Sequence, residues 1–126
     1  MHVLRQVHKA LRTDGLLLDA HPLGLDFAVR AGERGLGFVD TRDFRRVLRA
    51  MDEQLAVVVA EGLFEQIATA RRHVAERFDD GREALAEAQT WQHLRLPFVV
   101  RRRLARTTSK PVEFIDTIRY RVFARR

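Results

Sequence analysis

The sequence predicts an α/β fold: a small mixed sheet of about three main strands, the final one antiparallel, packed by three to four helices. Three observations carry this. Residues 2–22 read HVLRQVHKALRTDGLLLDAHP, an amphipathic stretch, a glycine turn and a short apolar run. Phe44, Val47, Leu48, Met51, Leu55, Val58 and Val59 recur at the period of a helix. Val112, Phe114, Ile118, Tyr120 and Val122 share the parity of a strand, broken only by Asp116.

Each element has its own justification. Val3, Val7, Ala10 and Leu11 form one apolar stripe of a helix over 3–12, with Arg5, Lys9 and Arg12 outside it. Gly15 stands where a helix end favours a left-handed residue. Leu16-Leu17-Leu18 runs apolar without alternation, as does a strand buried on both faces of a helix-covered parallel sheet, and Pro22 stops it. Leu25, Phe27 and Val29 alternate with polar or small residues, so 25–30 and 36–40 read as short strands reversing around Gly32–Gly35. The long helix spans 41–61, capped by Asp40 or Thr41 and ended by Gly62.

Farther along, Phe64, Ile67, Val74 and Phe78 hold no single parity, so a strand over 63–77 needs a bulge or bend near Ala68–Ala70. A helix over 82–93 follows Asp79-Asp80-Gly81, with Leu85, Ala88 and Trp91 facing inward. Pro97 suits the first turn of another helix reaching about Arg106. A loop through Pro111 leads to the last strand, 112–123. The predicted order of the main strands is 16–20, 112–123, 63–77.

Composition bounds the function. A chain of 126 residues with 46% hydrophobic content is expected to be one domain, 1–126. No apolar run approaches the ~18 residues of a membrane span. His2, Arg5, His8 and Lys9 interrupt the apolar residues that a secretory signal would need, so the expected location is cytoplasmic. The absence of cysteine excludes disulfides, thiolate metal sites and a cysteine nucleophile. Residues 1–94 hold 13 Lys/Arg against 15 Asp/Glu and residues 95–126 hold 10 against 2, so the net charge of +6 belongs to the last quarter. That asymmetry permits a polyanion partner.

The run LRTDGLLLDAHP and the order of elements around it resemble the C-terminal half of a class I S-adenosylmethionine-dependent methyltransferase. The resemblance implies that 16–20 is that family's fifth strand, 40–61 the helix after it, 63–77 the sixth strand and 112–123 the antiparallel seventh, which lies between the other two. Thr13 and Asp14 stand where the family usually has proline and glycine. The family holds its cofactor on the strands that precede this region, through a glycine-rich turn opening a helix. Gly32, Gly35 and Gly37 open no helix. Two helices also stand between the last two strands, where the family more often has a tight hairpin. The expectation is a truncated methyltransferase holding substrate-side scaffold, with no cofactor of its own. S-adenosylmethionine would enter only with the missing N-terminal half supplied.

Individual residues add little chemistry. His21 ends the first strand at the edge where open α/β sheets place ligands, so it is the substrate-side candidate; Asp19 is similarly placed. Histidines 2, 8, 21, 73 and 93 have no metal-ligand spacing, and Ser109 lies in no nucleophile elbow. Arg101, Arg102, Arg103 and Arg106 form a basic patch for phosphate or nucleic acid, or a solvated helix face. Arg119 and Arg121 read as the wetter face of the last strand, needing no ligand. Three functions remain open: a methyltransferase needing a longer chain or a complex, a non-enzymatic dimerisation or partner-binding module, and a basic nucleic-acid-binding protein. The unpaired edge of strand 16–20 predicts a homo-oligomer or a partner chain there.

Overall fold

A computed structural model describes residues 2–126. The elements are α1 (His2–Ala10), β1 (Leu16–Pro22), β2 (Ala28–Ala31), β3 (Arg34–Phe38), α2 (Arg42–Ala60), β4 (Phe64–Phe78), α3 (Gly81–Ala88), α4 (Phe98–Ala105) and β5 (Val112–Arg125). β5 organises the sheet. β1 pairs with its second half, from Leu16 opposite Ala124 to Pro22 opposite Ile118. β2 pairs with its first half, from Ala28 opposite Ile115 to Ala31 opposite Val112, and β3 pairs with β2. β4 also pairs with β5. The Arg126 amide donates to Leu63 O at one end, and the side chains of Thr117 and His73 meet at 3.2 Å farther along, so that pair is antiparallel.

The α/β class, the four helices and the order β1, β5, β4 are therefore as expected. Two features differ. The sheet has five strands rather than about three, because the hairpin β2–β3 joins it through β5. It is also antiparallel rather than mixed, because β5 separates the two strands that run in one direction.

The chain divides into two compact units, one of residues up to Pro22, Val47–Arg72 and Ile118–Arg126, the other of Leu23–Arg46 and His73–Thr117. In the first, Leu55, Val58, Phe64 and Phe123 form a buried core against which Leu4, Val7, Leu11 and Leu17 pack. Only the middle leucine of the LLL run is inside. Leu16 and Leu18 are 57% and 64% exposed, which corrects the expectation of a doubly buried strand. Strand pleating turns alternate residues to opposite faces, and the core lies on one face alone. Gly15 is corrected too, since it has no positive φ. A Cβ there would lie 2.9 Å from Arg12 O and 3.0 Å from the Leu11 Cβ, so glycine is needed for space.

The second unit is built on Val29, Leu36, Phe78, Val100, Leu104, Val112 and Phe114. Phe114 sits 5.1 Å from the Phe78 ring and 5.2 Å from Trp91. α2 begins here, and Asp40 accepts from the Arg42 amide at 3.1 Å and from its guanidinium at 2.8 Å. Those bonds hold the Asp40 carboxyl at a pKa of about 2. Asp116, which breaks the alternation of β5, is buried and accepts from the Thr117 and Gly24 amides; burial pushes its pKa up. Within β4 only Phe64 and Phe78 are buried, and residues 65–77 are exposed. The apolar residues hold no parity because this strand has no buried face to keep.

Candidate functional site

In the first unit, β1 and β5 place polar side chains opposite one another. Asp19 is registered with Arg121 and His21 with Arg119. These positions share the parity of Leu17 and Phe123, which pack in the core, so their side chains turn to the same face. α2 supplies Asp52. The Arg121 guanidinium bridges the two carboxylates, its Nε donating to Asp19 at 2.8 Å and its Nη2 to Asp52 at 2.7 Å. Arg119 grips Asp52 with both terminal nitrogens, at 2.8 and 3.2 Å. His21 Nε2 lies 2.5 Å from Asp19.

Both arginine side chains are 14% exposed, so most of this charge lies out of water. Burial alone would raise the Asp52 pKa, but the hydrogen bonds and charge of Arg119, then of Arg121, outweigh it and hold the carboxyl below its ordinary value. Arg119 Nε is buried without a partner. Arg121 also lies over the Phe123 ring, 5.4 Å from its centre. Beside the cluster is a cavity of about 180 Å³, walled by Val3, Leu4, Met51 and Leu55 and reached by His21, Asp19 and Asp52.

The two carboxylates and two guanidinia balance in charge, with Arg119 Nε left unpartnered among them. A histidine held by a carboxylate in the lining of an apolar cavity can take a proton from a hydroxyl or amine seated there. The structure thus places His21 in a lined cavity with Asp19 as its orienting group. It overturns the reading of Arg119 and Arg121 as a wetter face, because they are largely buried in ion pairs. The missed signal was the i, i+2 spacing of charged residues on both strands, at the parity of Leu17 and Phe123. Asp52 left no signal of its own on a helix rich in charge.

The four arginines of the other candidate patch separate. Arg102 stacks on Phe98 at 5.6 Å, and Arg101 is exposed. Arg103 donates to Leu36 O at 3.0 Å, and with Arg106 it lines a cavity of the second unit that also receives Arg34 and Lys110. Among the described residues no group of histidines and carboxylates could hold a metal ion, and no helix is long and apolar enough to cross a membrane. Comparison with family models, curated proteins and solved structures finds no match to this chain.

Proposed function

We propose that the chain is the substrate-side part of a class I S-adenosylmethionine-dependent methyltransferase, in which His21, held by Asp19, faces the methyl acceptor. The supporting observation is the strand order β1, β5, β4 with β5 antiparallel to both neighbours, together with a helix before β1. That is the arrangement the resemblance implies for the family's fifth, seventh and sixth strands. The cofactor-binding strands would then seat along the outer edge of β1, pairing with its main chain. The test is calorimetry with S-adenosylmethionine, on this chain and on a version extended by the codons in frame upstream of Met1. Binding only by the extended version supports the reading. Binding by this chain alone, or by neither, overturns it.

The same edge favours a second reading, a non-enzymatic pairing module. An edge strand carrying two exposed leucines is a template for another strand. On this reading the chain sediments as a dimer and Leu18→Lys makes it a monomer. A monomeric parent chain at micromolar concentration would remove the reading.

A further inference from the structure

We propose that the second unit binds a small phosphorylated ligand carrying adjacent phosphate groups, in the cavity between β3 and the end of α4. This site is independent of the His21 cluster and does not rest on the methyltransferase reading. The cavity measures about 390 Å³. Arg34 enters it from β3, Arg103 from α4, and Arg106 and Lys110 from the loop that follows, with Thr108 and Ser109 on the wall. No carboxylate of the described residues lines it.

The lining sets this cavity apart: the cavities beside Asp80, beside Asp40 and Asp43, beside Asp26, and beside Asp19 and Asp52 each carry a carboxylate, and this one carries four cations and none. None of the four cations of this cavity forms an ion pair with a described residue. The end of α4 offers them a partial negative charge of only about half a unit. Four converging cations far exceed what that dipole compensates. Arg103 is also anchored by its bond to Leu36 O, which fixes its remaining N–H groups without neutralising its charge.

Such a site calls for a compact, multiply charged acceptor. A diphosphate carries about three negative charges and offers many acceptor oxygens, matching these cations better than a single carboxylate does. A nucleic-acid strand fits less well. Its phosphates need cations spread along a track, whereas these converge on one concavity, and Arg101 and Arg102 stand outside it.

The experiment is calorimetric titration of inorganic pyrophosphate into the chain at low ionic strength. One saturable site is expected, weakened about tenfold or more by Arg106→Gln with Lys110→Gln and little changed by Arg101→Gln with Arg102→Gln. All four side chains are exposed, so folding should persist; Lys110→Gln alone gives the same readout should the Arg106 change disturb the loop. Absence of saturation, or equal weakening by both pairs, overturns the proposal. So does tighter binding of a single-stranded RNA oligonucleotide that depends on Arg101 and Arg102, which would assign the charge to nucleic acid instead.

Discussion

Gly81→Ala is expected to destabilise the protein by more than about 4 kcal/mol, leaving little folded chain. A Cβ at this position would lie 1.8 Å from Leu104 O, 2.7 Å from Leu104 C and 2.9 Å from Thr107 O. All three are main-chain atoms, so no side chain can swing away to relieve the overlap. Moving them would pull the end of α4 off the start of α3. It would also strain the bond from the Gly81 amide to Thr107 O, now 2.8 Å. The start of α3 is fixed from its other side as well, because Asp80 accepts from the Glu83 amide and Glu83 accepts from the Asp79 amide. Urea denaturation followed through Trp91 measures the effect. Gly35→Ala is the control, since nothing lies within 4 Å of the added carbon there. Equal midpoints for the two variants would remove the argument from close approach.

The second large effect is expected at Arg121. Arg121→Met keeps the length of the chain and removes the guanidinium that joins Asp19 to Asp52. Breaking a largely buried ion pair from one side costs about 3 kcal/mol, because the remaining charges stay desolvated. The loss should depend on pH with a definite sign. The folded-state pKa of Asp52 lies below its unfolded value, so its contribution is complete above about pH 4 and fades as the pH falls through the folded pKa. The gap between parent and variant should therefore narrow on acidification. Asp116 works the other way: its raised pKa favours folding below the unfolded value and weakens it as the pH rises through the folded one. It is present in both chains, so the comparison cancels it. Urea midpoints at pH 7 and at acid pH give the answer, and a gap that widens on acidification would contradict the cluster's role.

Elements that bury one strong stripe were legible in the sequence. α2 follows from the spacing of Leu48, Leu55 and Val58, all buried, and β5 from Val112 and Phe114. The LLL run misled because three consecutive leucines carry no phase. Only tertiary packing shows that Leu17 enters the core while its neighbours do not. His21 was legible as a strand-end residue, whereas Asp52 and the two arginines were not. Their roles depend on β1 meeting β5 across a hundred residues of chain, a pairing that no local pattern displays. The basic patch was half legible for the same reason. Arg103 and Arg106 are near in sequence, but Arg34 reaches them only through the fold.

β4 bears on how this protein can change over time. Thirteen residues, 65–77, are exposed between two buried phenylalanines, so the strand is held by main-chain pairing, by its two ends and by the contacts of Glu65 with Arg126 and His73 with Thr117. A segment held in this way imposes little on the identity of its side chains. Substitutions can accumulate there while Phe64 and Phe78 keep it in place. β4 can thus acquire new surface chemistry at most of its positions without loss of the fold.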